Sequence, residues 1–258
     1  MSYKFDHEWA HERERLSKLE RGMDPGTIAM LARAEIQPDW RCLEIGAGGG
    51  SIAAWLAAQV GPTGHVTATD LQTSFVEALA VPNLEVRQHD IVTDDIPAAH
   101  YDLIHSRAVL EHVPARAAVL TKLVKSLKAG GCLVLECHDF CTLQHVEGGD
   151  PVKFAQIIAA MLQLLGQSGF DPDYGRHMGA QLRAAGLKDV YCEGRSYELG
   201  GDRDLTSVLS LVLKRLEPAM VNAGLAQSKD VAAIADGLEH GEIIAQSPMV
   251  VAAIGWKT

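Results

Sequence analysis

The sequence predicts an α/β fold with a mostly parallel sheet and helices on both faces, on three observations. Short apolar runs alternate with longer helical patterns from residue 40 to about 192, the order expected of a βαβ chain. A turn containing Gly46, Gly48, Gly49 and Gly50 joins the first run to a helical segment opening at Ser51. Glu44, Asp70 and Asp90 end or follow the first three runs, where open α/β sheets bind ligands outside the carboxyl ends of their strands.

The elements follow in order. Residues 6–21 are highly charged and helix-prone, Asp24-Pro25-Gly26 reads as a turn, and residues 27–35 as a second helix. The first strand is expected at 41–45. The helix from Ser51 carries Ile52, Leu56 and Val60 on one face, the spacing of a buried stripe. Gly61-Pro62-Thr63-Gly64 ends that helix and turns the chain into a strand at 65–69. Further strands are expected at 84–87, 101–105 and 132–138, the last preceded by a helix over 114–127 and the breaker Lys128-Ala129-Gly130-Gly131. Helical patterns at 152–165 and 179–185 lead to a strand at 189–198. Two more, at 205–223 and 229–240, precede a final strand at 249–256. The chain thus reads as a helical lid over residues 1–36 and one domain over 37–258, with a helical insertion at about 202–241 before the last of seven strands.

Composition narrows the function classes. With 258 residues, 47% of them hydrophobic, the chain can bury a full core. A formal charge of −10 speaks against nucleic-acid partners, which require a basic face. The N-terminus lacks the charged-then-apolar layout of a leader, and no apolar run reaches the ~20 residues of a spanning helix. A cytoplasmic protein without a membrane partner, monomer or homodimer, is expected. The five cysteines are an odd set, and Cys137 and Cys141 have no second pair of matching spacing. Buried free thiols are expected rather than a metal site.

Glycines at Gly46 and Gly48 remove side chains where a backbone must approach a ligand. Asp70, 24 positions after Gly46, reads either as a helix N-cap or as the acceptor for the ribose hydroxyls of an adenosine cofactor; the glycine turn one βα unit earlier favours the ribose. Asp90 reads either as a loop cap or, with Ile91, as a reader of the edge and face of adenine. A dinucleotide turn would place its third glycine at position 51, which is Ser51, so a nicotinamide enzyme is disfavoured.

The chain resembles the class I S-adenosylmethionine-dependent methyltransferases. The resemblance rests on the E-x-G-x-G-x-G form of Glu44 to Gly50, on Asp70, on Asp90-Ile91, on YDLIHSRAVLEHV at 101–113 and on LKAGGCLVLECHD at 127–139. It is nearest in character to small-molecule enzymes of the ubiquinone-biosynthesis type with an N-terminal helical lid. The resemblance implies a Rossmann-like, mostly parallel seven-stranded sheet, S-adenosyl-L-methionine as cofactor, and S-adenosyl-L-homocysteine as product. It implies that Gly46, Ala47 and Gly48 approach the methionine moiety and that Glu44 fixes it. Asp70 would take the ribose with Leu71 against the adenine, and Asp90 and Ile91 would read the base. Ser106 and Arg107 would border the transferred methyl. Tyr3 and Trp9 would close over the site from the lid.

Methyl transfer to oxygen, nitrogen or carbon gains most from alignment, roughly 7–11 kcal/mol; a base adds about 10²–10⁴-fold in rate. His138 and Asp139 end the fifth strand, where a substrate pocket opens, and His138 is a candidate base. His112 is a second, with a structural place at a helix edge as its other reading. In Tyr174-Gly175-Arg176-His177, Arg176 reads either as a surface arginine or as a clamp for an anionic group, with His177 beside it. A small organic acceptor is expected, with O-methylation ahead of N- or C-methylation. A protein that binds the cofactor without transfer is the rival of another class. The leucine-rich stretch 205–216 reads as a lid helix packing on the sheet, with an inner face toward an apolar pocket. Arg13, Arg15 and Arg21 read as a solvated, salt-bridged face.

Overall fold

The computed structural model describes residues 10–258; Tyr3 and Trp9 lie outside the described residues. Seven strands form one sheet: β1 (Arg41–Ile45), β2 (His65–Asp70), β3 (Leu84–Gln88), β4 (Tyr101–Arg107), β5 (Leu127–Asp139), β7 (Lys188–Arg195) and β10 (Met249–Trp256). Their order is β3-β2-β1-β4-β5-β10-β7. The first five run parallel, and β10 is antiparallel to both neighbours. Chain order reverses between β1 and β4, so the loops after these strands diverge and open a crevice at their carboxyl ends.

Strands covered on both faces must be apolar on both, and alternation divides their side chains between two cores. Cys42, Val66, Ala68, Leu103 and Val134 face α2 (Ser51–Val60), which contributes Ile52, Leu56 and Val60. Leu43, Ile45, Ile104, Leu133 and Leu135 face the opposite way. There α4 (Arg116–Ser126) brings Leu120 and Leu123, and α6 (Tyr174–Ala184) brings Met178 and Leu182. Each fully buried leucine or isoleucine contributes roughly 1.5–3 kcal/mol.

A third core lies beyond the strand ends. It joins α5 (Pro151–Gly166), α7 (Asp204–Asn222) and α8 (Ser228–Glu239) through Phe154, Leu164, Leu213, Ile234 and Leu238. Asp150 starts α5 by accepting the Val152 and Lys153 amides at 2.9 and 3.1 Å, with Pro151 in the first turn where no donor is needed. A three-stranded sheet of β6 (Gln144–Glu147), β9 (Ile244–Gln246) and β8 (Glu198–Leu199) borders this core. These strands are too short to carry an alternating pattern, and the sequence does not announce them. The short α3 (Ser74–Glu77) follows β2.

The N-terminal region differs from expectation. One helix, α1 (Glu12–Leu31), runs through Asp24-Pro25-Gly26. Pro25 is on the exposed side, so the Arg21 carbonyl it leaves without an amide partner faces solvent. The inward residues are held by contacts with the sheet. Asp24 and Thr27 both accept from Arg107, and a side chain at Gly26 would collide with the guanidinium of Arg195. Tertiary contact overrides the turn propensity. Arg15 is buried and forked onto buried Glu12 at 2.7–2.8 Å, not solvated; Arg21 is exposed and pairs with Asp204 at 2.6 Å. The leucine-rich α7 packs on α1, α5 and α8 rather than on the main sheet. All five cysteines are free, but Cys141 and Cys192 are exposed while Cys42, Cys132 and Cys137 are buried.

Candidate functional site

The crevice at the strand ends opens into a cavity of about 910 Å³, at the upper end of the roughly 300–1,000 Å³ usual for a ligand site. One end is built by the glycine turn. Gly46 has a φ of +70°, and a Cβ there would stand 2.3 Å from Val109, so only glycine fits. The Gly46 and Ala47 amides both donate to the Thr69 carbonyl, at 2.8 and 3.0 Å, which pins the turn to the end of β2. Asp70 extends the stitching: one carboxylate oxygen accepts the Gly48 amide at 2.9 Å and the other the Gln72 amide at 3.2 Å. Asp90 accepts the Val92 amide at 2.8 Å. Leu71 and Val92 line the same end and are more than 40% exposed in the protein alone, apolar surface placed to be covered by a flat ring. Glu20 of α1 reaches the opposite side of the turn and accepts the Ser51 amide at 3.3 Å.

Beneath this end lies a buried ionic chain. Glu44 accepts from His105 Nδ1 at 2.6 Å, and His105 Nε2 stands 3.7 Å from Glu136, an ion-pair distance rather than a hydrogen bond. Glu136 also takes the Thr27 hydroxyl and the Arg195 guanidinium. Burial alone would lower the proton affinity of His105, but the Glu44 and Glu136 carboxylates outweigh it and raise the pKa to about 9. Burial would raise Glu136, yet the charge of His105, the Thr27 hydroxyl bond and the charge of Arg195 bring it down to about 2. Charged residues inside doubly covered strands must find partners, and these tie β1, β4, β5, β7 and α1 together at the floor of the site.

The other end is apolar. Leu16, Leu19 and Met23 of α1, Met161 and Leu165 of α5, and Leu209 of α7 wall it. Phe140 and Phe170 meet edge to face with centroids 5.5 Å apart; His138 lies 5.4 Å from Phe140, and His112 lies 4.8 Å from Phe170. Glu111, wholly buried, accepts from His138 Nδ1 at 2.8 Å. With Glu111 as a carboxylate that bond places a proton on Nδ1, and in the neutral ring Nε2 is then the acceptor, with His138 lining the cavity. Burial would raise Glu111, but the hydrogen bond from His138 holds it below the ordinary glutamate range. Burial lowers the proton affinity of His112. Gly175 lets α6 approach β5 closely enough to support this strand end, since a Cβ there would meet the His138 backbone at 2.7 Å.

The cavity therefore gathers Glu44, Gly46, Ala47, Gly48, Asp70 and Leu71 from the residues singled out in the sequence, together with Asp90, Ile91, Arg107, His112 and His138. Others lie elsewhere. Ser106 is buried and donates to the Ile45 carbonyl at 3.0 Å, a strand-to-strand tie behind the wall. Asp139 is buried and forked by Arg176, both bonds 2.8 Å, so this arginine is spent inside the chain and neither residue lines the cavity. His177 is exposed on α6, over a separate shallow surface depression. Glu20, His105, Glu111, Glu136 and Phe170 were not singled out. Charges set inside the apolar runs of β4 and β5 were the signal available for His105 and Glu136.

The fit to a nucleoside-bearing cofactor with a cationic amino-acid end rests on three features: the cradle at Gly46, the carboxylates Glu44, Asp70 and Asp90, and uncovered Leu71 and Val92. Among the described residues no cluster could hold a metal ion, and no helix is long and apolar enough to cross a membrane.

Comparison with known proteins agrees with this geometry. Residues 43–133 match a family model described as a methyltransferase domain. The methyltransferase str2 of Strobilurus tenacellus is 29% identical over 180 residues, covering 69% of this chain and 62% of that protein; the chain thus spans less than two thirds of that relative. The YcgJ protein of Bacillus subtilis superposes with a TM-score of 0.60 at 18% identity, covering 89% of this chain and 96% of the other. A Haemonchus contortus phosphoethanolamine N-methyltransferase, solved with phosphomonomethylethanolamine and S-adenosylhomocysteine, gives 0.61 at 13% identity, covering 100% of this chain and 60% of that one. The strand order, the glycine turn and the match over residues 43–133 liken this chain to the class I, S-adenosylmethionine-dependent methyltransferases.

Proposed function

We propose that the protein transfers a methyl group from S-adenosyl-L-methionine to a small organic acceptor, oxygen being the preferred atom. The observation that carries this is one cavity with two unlike ends, a glycine turn flanked by three strand-end carboxylates and an apolar chamber holding a histidine with a free ring nitrogen. When bound, the cofactor supplies an activated methyl on a sulfonium, so the chain's own work is alignment and exclusion of water. Glu44 receives the amino-acid end, Asp70 the ribose with Leu71 against the base, and Asp90 and Ile91 the adenine. Arg107, held by Asp24 and Thr27, borders the junction of the two ends. Residues 1–36 act as the lid. His138 Nε2 accepts a proton from an acceptor hydroxyl.

Calorimetric titration with S-adenosylhomocysteine, and with NADH for comparison, tests the cofactor half. Micromolar binding of the former alone is expected; NADH bound more tightly overturns the reading.

A further inference from the structure

The acceptor chamber has a distinctive charge pattern. Two guanidiniums line the cavity, and each is already committed: Arg15 to Glu12 at 2.7–2.8 Å, Arg107 to Asp24 at 2.9 Å. No lysine lines it among the described residues, and Arg176 is engaged by Asp139 outside it. Among the described residues an anionic acceptor would find here only cations already paired with carboxylates, and would lose its hydration largely uncompensated. The carboxylates are committed too. Glu111 is paired with His138 through one oxygen and Glu12 with Arg15, while Glu44 and Glu20 stand at the glycine-turn end. Among the described residues an ammonium acceptor meets no accessible unpaired carboxylate at this end: the second oxygen of Glu111 has no hydrogen-bond partner but is sealed from solvent. What the chamber offers is aromatic surface, Phe140, Phe170 and the His112 ring, gathered in a chain with only five phenylalanines, with Nε2 of His138 at its edge and the uncharged Gln167, Tyr197 and Ser247 elsewhere in the lining.

We infer that the acceptor is an uncharged, ring-bearing molecule that presents a weakly acidic hydroxyl, a phenol or enol, to His138. This deepens the proposed activity and rests on it. The ring lies among Phe140, Phe170 and His112, and flat aromatic faces suit such edge-to-face enclosure. In the reaction the acceptor O–H bond breaks and its proton passes to Nε2. The oxygen electron pair forms the new O–CH₃ bond, and the pair of the broken C–S bond stays on the departing sulfur. The imidazolium then returns its proton to solvent. Nδ1 keeps its own proton on Glu111 throughout.

Matched bicyclic probes test this by binding to the protein saturated with S-adenosylhomocysteine: 2-naphthol, 2-methoxynaphthalene, 2-naphthoate and 2-naphthylmethylamine. We expect 2-naphthol to bind about tenfold or more tightly than the carboxylate and the amine. His138→Ala should bring 2-naphthol down to the affinity of the methoxy probe, also about tenfold, by removing the hydrogen-bond partner of its hydroxyl. S-adenosylhomocysteine affinity should stay within about twofold in the variant, which also reports that the site is folded. Preference for the carboxylate or the amine overturns the acceptor class while leaving the cofactor reading intact. An unchanged naphthol-to-methoxynaphthalene ratio in His138→Ala overturns the assignment of His138. Failure of the wild-type protein to bind S-adenosylhomocysteine defeats the proposed function itself.

Discussion

The two ends of the cavity are made by different means. The glycine-turn end is built from consecutive strand ends, and its groups are fixed by short-range bonds such as Gly48 to Asp70 and Gly46 to Thr69. The apolar end is assembled from α1, α5, α7 and the Phe170 loop, segments up to about 200 positions apart, held by side-chain packing and by ties such as Arg21 to Asp204 and Lys18 to Ser207. A parallel sheet obliges its strand ends to converge on one crevice; nothing obliges a particular set of helices to roof it. The first end should therefore be robust in geometry and costly to alter, and the second tolerant and free to vary with the acceptor.

The largest effect is expected at the floor of the first end. His105→Leu leaves Glu44 and Glu136 buried without the cation between them and should cost about 3–5 kcal/mol of stability, read as a lower urea midpoint. A loss under about 1 kcal/mol would mean the chain of charges is not coupled. Next, Asp70→Ala removes two backbone bonds and the proposed ribose contact. S-adenosylhomocysteine affinity should fall about 10²-fold while 2-naphthol binding changes little; equal loss of both would dissolve the distinction between the ends.

The pH dependence sharpens the same comparison. His105 has a folded pKa of about 9 against an ordinary 6.5. A group whose affinity for the proton rises on folding adds stability that is complete below its unfolded pKa and disappears as pH climbs through the folded one. The thermal midpoint should thus decline between about pH 6.5 and 9, and His105→Leu should flatten that decline. The smallest effect belongs to the second end. Val212→Ala, in the half-buried wall of α7, should weaken 2-naphthol by roughly 0.5–1.5 kcal/mol and leave S-adenosylhomocysteine binding untouched.

The same division governs what could be read from the sequence. The strands at 41–45 and 249–256 match the structure residue for residue, and the others differ at their ends, because runs buried on both faces are apolar without interruption. Glu44, Gly46, Asp70 and Asp90 could be placed because the fold fixes strand ends relative to one another. The helix through Pro25 could not, since its cause is contact with Arg107 and Arg195, both distant in the chain. Asp139 and Arg176 looked available and are spent on each other. Glu111 stood in plain view beside His112, but only the packed structure brings it to His138, 27 positions away.

The distribution of the five thiols has a practical consequence. Cys42, Cys132 and Cys137 are sealed in the sheet, with burial raising the pKa of each. Cys141 and Cys192 are open to reagents, and only thiolates react quickly. An alkylating reagent should count two sulfhydryls in the native protein and five after denaturation. The three that appear late are a clock for opening of the sheet. Cys137, adjacent to His138, times the very strand that carries the proposed base.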